Sequence, residues 1–378
     1  MATGWAHGFL PEAEAPDRGD DPRRALADVL TPALAQGPCF VLFSGGRDSS
    51  AVLAAAVASA RQEGLAEPIA GTEVYPGVPQ ADEGEWQAAV IAHLGLREWV
   101  KVEYSGDGDL VGQVARDGLR RRGLVWPAPL QVKALTLGQL SPGCLLTGEG
   151  GDEVFGAHRS APLAQLGRQR TVSRRRAAPQ AVAALLPEAA RRRAKARHRL
   201  AANRQPWLRP SVARSHARLL AADEASEPLP WGQALLRLPR SRNGALVHHN
   251  FSLLSAEYGL ALHDPLLDPG FLRALGRCGP RWGYTSRTEA MRATFSDLLP
   301  PAVIERRGKA RFNQAFFGAA TREFASRWDG AGVDHSMVDA ELLRREWLSD
   351  HPSALTGALL QAAWLAGNDT GREGPERR

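Results

Sequence analysis

Short runs of apolar residues alternate with stretches of helical periodicity along the first 150 residues. The runs predict strands over 39–43, 69–75 and 144–147, and alternating apolar and polar residues predict one over 98–103. Between them, apolar residues at helical spacing predict helices over 25–34, 51–60, 82–94 and 130–140. Strands that alternate with helices are typical of a parallel sheet covered on both faces, so we expect an α/β fold.

The rest of the chain has a different pattern. Residues 168–204 carry three arginine clusters, which predict a helical insertion with a strongly basic face. Such a face is either simply solvated or contacts an anionic substrate or partner. Residues 236–324 are predicted to be mainly helical with short loops. The polar segment 1–24 is expected to be an N-terminal arm and 366–378 a disordered tail, which leaves 25–365 as one folded domain.

Composition narrows the classes of protein to which the chain can belong. Apolar residues make up 44%, which is typical of a globular protein, and the net charge of +6 favours anionic partners. The cysteines Cys39, Cys144 and Cys278 are too few and too far apart to predict a disulfide scaffold or a zinc site. The sequence has no signal-peptide pattern and no apolar run of about 18 residues, so we expect a cytoplasmic protein without membrane contact.

Residues 44–50 have the sequence SGGRDSS and lie between a predicted strand and a predicted helix. Gly45 and Gly46 allow a tight turn and a close approach of the backbone to a ligand. The N–H groups of the turn and of the helix start then point at phosphate oxygens, and the serines add hydroxyl donors. Asp48 fits a phosphate cradle when a Mg²⁺ ion bridges it to the phosphates. The chain lacks the GxxxxGK[ST] pattern of kinases and GTPases.

Residues 148–156 have the sequence GEGGDEVFG and follow another predicted strand. Three acidic side chains among four glycines are difficult to explain by packing alone. Asp152 can share a Mg²⁺ ion with Asp48, and Glu149 can exchange a proton with a reacting group. Ligands of parallel α/β sheets bind beyond the carboxyl ends of the strands, and both motifs fall at such ends.

The two motifs together resemble the synthetase domain of glutamine-dependent asparagine synthetases. The same domain type occurs in β-lactam synthetases and lasso-peptide cyclases. SGGRDSS and TGEGGDEVFGAH, about 100 residues apart, have the order and spacing of that domain. Residues 254–275 (LSAEYGLALHDPLLDPGFLRAL) and 298–312 (LLPPAVIERRGKARF) are similar to later segments of it. The resemblance covers roughly residues 25–320.

This resemblance implies a fold and a reaction. The fold is the ATP-pyrophosphatase type of parallel α/β sheet (PP-loop, adenine nucleotide alpha hydrolase-like), with a helical C-terminal part. In the reaction, a carboxylate attacks the α-phosphorus of ATP to give acyl-AMP and pyrophosphate, and an amine then displaces AMP. The implied cofactors are ATP and Mg²⁺.

Residue roles also follow from the matched motifs. The implied residues for binding ATP and pyrophosphate are Ser44, Gly45, Gly46, Asp48, Ser49, Val74, Tyr75, Gly148 and Lys309, with adenine near Val74 and Tyr75. Asp48 and Asp152 would bind Mg²⁺. Glu149 occupies the place of an acid that assists amide formation, and Lys309 that of a lysine that contacts the phosphates, so these two are the implied catalytic residues. Without the resemblance, Lys309 would be an ordinary member of the basic run 306–311.

The chain departs from asparagine synthetases at its N-terminus. Those enzymes begin with a glutaminase domain whose nucleophilic cysteine follows the initiator methionine. Residue 2 here is Ala, and only 38 residues precede the first motif strand. We therefore expect no glutaminase activity in this chain. The amine would come from the substrate itself, from free ammonia or from a glutaminase on a separate chain.

The expected function is an ATP-dependent, AMP-forming carbon–nitrogen ligase of specialised or peptide natural-product biosynthesis, lasso-cyclase-like or amidotransferase-like. Its expected partners are an amine and a carboxylate substrate that is a small molecule, a peptide or carrier-bound. A separate glutaminase or a carrier or leader-binding protein would complete the set. Two alternatives stay open, a PP-loop enzyme that modifies tRNA and a catalytically silent partner subunit. Nucleic acid is the less favoured partner, because the sequence shows no RNA-binding module.

Overall fold

The computed structural model describes residues 8, 9, 17, 19–168, 171–308 and 310–369, and for 168, 171–176, 368 and 369 it describes the backbone only. Five strands form an all-parallel sheet with the order β3-β2-β1-β4-β5. The strands are β1 Cys39–Leu42, β2 Ile69–Val74, β3 Trp99–Glu103, β4 Gly143–Leu146 and β5 Leu260–His263. The expected parallel α/β fold is confirmed.

Helices cover the sheet and extend beyond it. Within the described residues the α-helices of the first half of the chain are α1 Pro22–Leu34, α2 Arg47–Glu63, α3 Gly84–Leu94, α4 Gln113–Arg122, α5 Ala134–Leu137, α6 Gly151–Val154, α7 Ala161–Arg168, α8 Thr171–Leu185 and α9 Glu188–Ala202. Those of the second half are α10 Pro210–Ala225, α11 Trp231–Leu235, α12 Arg242–Ala256, α13 Pro269–Cys278, α14 Arg287–Phe295, α15 Pro301–Glu305, α16 Asn313–Phe316, α17 Ala319–Arg327, α18 Ala340–Leu348 and α19 Gly357–Asp369. Short 3-10 helices occur at Pro79–Ala81, Ala128–Lys133, Leu238–Arg240, Pro265–Leu267 and Ala354–Thr356.

Side chains of the central strands alternate between the two faces of the sheet. Val41 and Phe43 pack with α1, α2 and α13 on one face. Phe40 and Leu145 pack with Leu254 of α12 on the other face. Because helices cover both faces, every position of such a strand is apolar, which is why the central strands could be recognised as continuous apolar runs.

One strand was missed and one predicted helix is wrong. The segment 236–324 is mainly helical, as predicted, but it also contains β5, which pairs with β4 from Gly143↔Leu260 to Leu146↔His263. A four-residue strand between two helices carries no pattern of its own and depends on its neighbour for hydrogen bonds. The predicted continuous helix over 130–140 is instead a 3-10 helix followed by the single turn α5, in a segment that contains Pro127 and Pro129.

The C-terminal helices form a second apolar cluster beside the sheet. Its large members are Trp207, Trp328, Trp347 and Trp364. The buried carboxylate of Asp109, in the loop after β3, accepts hydrogen bonds from the backbone N–H and the hydroxyl of Thr321 on α17. This contact fastens the cluster to the edge of the sheet near the ends of the strands. Among the described residues, no helix is both long and apolar enough to cross a bilayer.

Gly143 is expected to be essential to the pairing of β1 with β4. A Cβ atom at Gly143 would overlap the carbonyl oxygen of Pro38, which is backbone and cannot swing away. We expect Gly143→Ala to lower the free energy of unfolding by about 1–3 kcal/mol in urea titrations, the usual cost of overpacking. Gly167→Ala on α7 is the matched control, because a Cβ there meets nothing within 4 Å. It should leave stability unchanged or raise it by about 0.5–1 kcal/mol. Equal losses in both variants would contradict this role of Gly143.

Candidate active site

The turn after β1 presents backbone N–H groups at the start of α2. Gly45 has a left-handed conformation (φ 80°), which the tight turn requires. Gly46 caps α2 without any side-chain hydrogen bond, so N–H groups of the first helical turn stay available to a ligand. Ser49 helps to hold the turn, since its Oγ accepts the Ser44 N–H at 3.2 Å and lies 3.1 Å from the Ser44 Oγ. The turn therefore has the geometry that suits an anion.

The glycine-rich loop after β4 lies directly against this turn. A Cβ atom at Gly148 would come within 2.7 Å of the Ser49 backbone nitrogen, and one at Gly151 would overlap the Asp48 side chain. Glycine at these two positions therefore lets the loops touch. The contact joins the two motifs at the carboxyl ends of neighbouring strands, where the chain order of the sheet reverses and where such sheets bind ligands.

A guanidinium group joins the acidic residues of the two motifs. Arg287, at the start of α14, donates one hydrogen bond to Asp48 and another to Asp152. Burial disfavours the charge on Arg287, but the two carboxylates more than offset this and raise its pKa. The carboxylates of Asp48 and Asp152 are thus close enough to face a single cation.

The predicted Mg²⁺ site consists of these two carboxylates, Asp48 and Asp152. No group of three or more His, Cys, Asp or Glu residues suited to a metal occurs in the part of the chain that the structure describes. Mg²⁺ is commonly held by one or two carboxylates, with phosphate oxygens and water as the other ligands. Asp48 and Asp152 fit an ion that arrives with a nucleotide, and they do not form an all-protein metal cage.

A nearly buried ion pair fastens another segment over the turn. Arg306 donates to the Gly45 carbonyl oxygen at 3.0 Å and to both oxygens of Glu83, and side-chain exposure is only 8% for Arg306 and 5% for Glu83. Glu83 also accepts the Ala310 N–H at 3.0 Å. Residues 306 and 310 are therefore both held beside the turn formed by residues 44–50, which is called the phosphate turn below after its proposed ligand. Lys309, the predicted phosphate contact in this segment, lies outside the described residues.

Glu73, whose side chain is 13% exposed, forms part of the wall of the cleft at the end of β2. It accepts hydrogen bonds from the Lys133 ammonium (2.6 and 2.7 Å), the Tyr75 hydroxyl (2.8 Å) and the Thr136 hydroxyl (2.8 Å). Burial would raise the pKa of Glu73, but Lys133 and these hydrogen bonds outweigh it and lower the pKa. Glu73 and Lys133 are thus a charged pair in the cleft wall.

The two residues predicted to lie near adenine have different environments. Tyr75 lines the cleft and packs against Tyr104 and Phe312, with ring centroids 5.0 and 5.3 Å away. Val74 belongs to the strand pairing of β2 with β3, where its carbonyl oxygen accepts the Tyr104 N–H at 2.8 Å. An aromatic surface is therefore available at this position, whereas the Val74 carbonyl already has a backbone partner.

These elements enclose a cleft of about 380 Å³. The predicted site residues that line it are Ser44, Gly46, Asp48, Ser49, Tyr75, Gly148, Glu149 and Asp152. Comparison with protein-family models gave a match to the asparagine synthase family over residues 23–366. The chain belongs to the asparagine synthase family. Comparison with curated protein sequences gave no significant match.

Membership of the asparagine synthase family brings a general chemistry with it. Members form amide bonds at the expense of ATP, so the chain is an ATP-dependent carbon–nitrogen ligase by family. The match spans both motifs and the later segments that carry Arg287 and Arg306. ATP is the nucleotide that the family uses, and Mg²⁺ is its usual companion.

Several charged residues that line this asparagine synthase-type cleft were not predicted from the sequence. They are Arg47, Glu73, Glu83, Lys133, Arg287 and Arg306. Arg47 and Arg306 lie in two of the segments that resemble the family, 44–50 and 298–312. Their positive charge beside a predicted phosphate site could therefore have identified them. Arg287 and Lys133 lie in segments without a motif, and only the folded chain brings them to the cleft.

Removal of Glu83 from its nearly buried ion pair with Arg306 should be strongly destabilising. Glu83→Ala would leave the buried guanidinium of Arg306 without its carboxylate, so we expect the free energy of unfolding to fall by about 3–5 kcal/mol. Glu305→Ala is the matched control, because its pair with Arg292 is more than half exposed and should cost less than about 1 kcal/mol. Urea unfolding of both variants measures the difference. A loss below 1 kcal/mol in Glu83→Ala would show that the pair does not hold the segment.

Proposed function

We propose that this protein activates a carboxylate as an acyl-adenylate and then transfers the acyl group to an amine. The observation that carries this proposal is the shared guanidinium contact of Asp48 and Asp152. This contact brings two carboxylates to one guanidinium beside the N-terminus of α2, which supports a shared cation at this place. A nucleotide triphosphate with its Mg²⁺ ion needs this combination of donors and acidic ligands.

Adenylation would use the residues around the phosphate turn. A carboxylate oxygen of the substrate forms a bond to the α-phosphorus of ATP, and the bond to pyrophosphate breaks. The N–H groups of residues 45–49 would bind the leaving pyrophosphate, while Arg47 and Arg306 would neutralise its charge. Mg²⁺, held by Asp48 and Asp152, would supply further neutralisation when it is bound. Lys309 is proposed to contact the phosphates from the segment that Arg306 fastens down.

Amide formation would use the glycine-rich loop. The amine nitrogen attacks the acyl carbon, and the carbon–oxygen bond to AMP breaks. Glu149 lines the cleft and is proposed to receive the proton that the amine loses. Tyr75 would provide an apolar surface for the adenine ring at the other end of the cleft.

The substrates and partners follow from the same proposal. We propose a pathway of specialised or peptide natural products, with a carboxylate that is a small molecule, a peptide or carrier-bound. The amine would be part of a substrate, free ammonia or the product of a separate glutaminase. A silent partner subunit is the less favoured alternative, because the carboxylates and guanidinium groups that a nucleotide requires are together in one cleft. A tRNA-modifying role is also less favoured, because it does not explain the acidic loop that contains Glu149.

Release of pyrophosphate from MgATP with a panel of carboxylates and peptides tests adenylation directly. We expect release that depends on one carboxylate and that falls about 100-fold or more in Asp48→Asn and Asp152→Asn, because each loses a charge facing the cation. Asp117→Asn is the matched control, since Asp117 is exposed on α4 and pairs with Gln113 and Arg120 of the same helix. Chelation with EDTA should abolish the release.

The outcomes of this assay separate the candidate functions. Binding of MgATP without pyrophosphate release, for every carboxylate tried, would contradict adenylation of a free substrate and would favour a carrier-bound one. Absence of MgATP binding would overturn the enzyme function and leave the silent subunit. Release that depends on tRNA would favour the RNA-modifying alternative.

The arginine-rich insertion has two distinct basic faces. On α9, residues four apart face α10: Arg191 is buried and donates to the carbonyl oxygens of Leu186 and Ala225. Lys195 and Arg199 both pair with Glu224 of α10. This inner face holds the helices together, which the sequence-based alternatives did not include. The outer face exposes three further arginines, Arg192, Arg193 and Arg197.

The outer face is proposed to attract an acidic acyl substrate or the acidic surface of its carrier. Reversing two charges in Arg193→Glu/Arg197→Glu should raise KM for such a substrate about fivefold or more at low salt, with kcat unchanged, because the pair acts on encounter and not on chemistry. The control Arg97→Glu/Arg345→Glu changes the net charge by the same amount, at exposed sites outside the insertion. Equal KM values for the two variants would contradict the proposal.

A further inference from the structure

A chain of hydrogen bonds connects Glu149 to residues outside both motifs. The Glu149 N–H donates to the Thr147 hydroxyl oxygen at 3.1 Å, and that hydroxyl donates to Asp264 at the end of β5. The second oxygen of the Asp264 carboxylate lies 2.7 Å from Nδ1 of His248 on α12. This series of hydrogen bonds therefore connects the glycine-rich loop, through the ends of β4 and β5, to helix α12.

The direction of each hydrogen bond in this chain is determined by chemistry. An ionised carboxylate can only accept, so the Thr147 hydroxyl must donate to Asp264 and His248 must donate from Nδ1. The Thr147 oxygen is then left with its lone pairs, which suit the Glu149 N–H. Bonds in such a series polarise and strengthen one another in a shielded environment. Thr147 is 3% exposed and the Asp264 side chain 8%, so water competes little for these bonds.

The charges around Asp264 also favour this arrangement. The hydrogen bond to Asp264 raises the pKa of His248, so the imidazole is more readily protonated beside the carboxylate. The His248 side chain is 47% exposed and can keep its positive charge in contact with water. A charged donor strengthens the hold on Asp264 and hence on Thr147.

The turn that follows β5, residues 264–267, also contacts the residue after Glu149. Gly150, which has a left-handed conformation (φ 83°), packs so closely on Leu267 that a Cβ atom would overlap that side chain. Leu267 belongs to the turn that Asp264 begins, since its N–H donates to the Asp264 carbonyl oxygen at 2.9 Å. Glu149 thus lies between two residues, Thr147 and Gly150, that both rest on the turn after β5.

We propose that Asp264 and His248 are positioning residues that act through Thr147 to hold the backbone of Glu149 and so aim its carboxylate into the cleft. This inference rests on the proposed function for its kinetic consequence, the loss of amide formation. Its structural consequence, a more mobile loop, does not depend on that function. Neither residue lines the cleft at the phosphate turn, so adenylation should not need them.

Hydrogen–deuterium exchange tests the structural consequence without any substrate. In His248→Gln and Asp264→Asn we expect the peptide that covers residues 147–151 to exchange about tenfold faster, because the Glu149 N–H loses a polarised acceptor. Peptides from α2 should keep their exchange rates, and the dissociation constant for ATP should stay within about twofold. His249→Gln is the matched control, since His249 is the exposed neighbour of His248 on α12. His248→Gln keeps the test valid if Asp264→Asn fails to fold.

The kinetic arm compares the two half-reactions of the same variants. We expect carboxylate-dependent ATP–pyrophosphate exchange to stay within about threefold of the unmodified protein, while kcat for amide formation falls about 10–100-fold. Equal losses in both half-reactions, or an equal effect of His249→Gln, would overturn the positioning role. Unchanged exchange of 147–151 would overturn it as well. Absence of pyrophosphate exchange in the unmodified protein would overturn the proposed function alone, and the deuterium measurement would still decide the positioning role.

Discussion

Parallel pairing of β1 with β4 is the constraint on which the rest of the site depends. Cys39 pairs with Cys144 and Val41 with Leu146, so the two strands end at the same level of the sheet. The turn after β1 and the loop after β4 therefore leave the sheet side by side, although more than 100 residues separate Asp48 from Asp152. Glycines at the contact points let the two backbones touch. Every other element of the cleft is arranged around this contact.

Balanced charge is the second organising feature of the cleft. Carboxylates from four elements, Asp48, Glu73, Glu83 and Asp152, each lie against a cationic side chain. Such pairing is necessary because a buried charge without a partner is expensive. The pair of Glu83 with Arg306 is nearly closed to solvent, and the pair of Glu73 with Lys133 is partly exposed in the cleft wall. The pairing of Asp48 and Asp152 with Arg287 lies where an incoming nucleotide would bring both negative charge and a metal ion.

Helices and turns outside the parallel sheet contribute side chains to the site that neither motif contains. Arg287 comes from α14, His248 from α12 and Asp264 from the turn after β5. In the proposals made above, the sheet would provide the nucleotide chemistry that the family shares, while residues of the later elements would position Glu149.

The fold and the nucleotide side of the cleft were accessible from the amino-acid sequence, because both rest on local signals. Apolar runs mark the central strands, and glycines beside serines and acidic residues mark SGGRDSS and GEGGDE. Strand β5 was not accessible, since four residues gain strand geometry only from pairing with β4. The roles of Arg287, Lys133 and His248 could not be predicted either, because an isolated basic side chain gains a role only from the residues that it contacts. Those contacts are determined by the tertiary structure, since long-range packing leaves no pattern in the spacing of residues along the sequence.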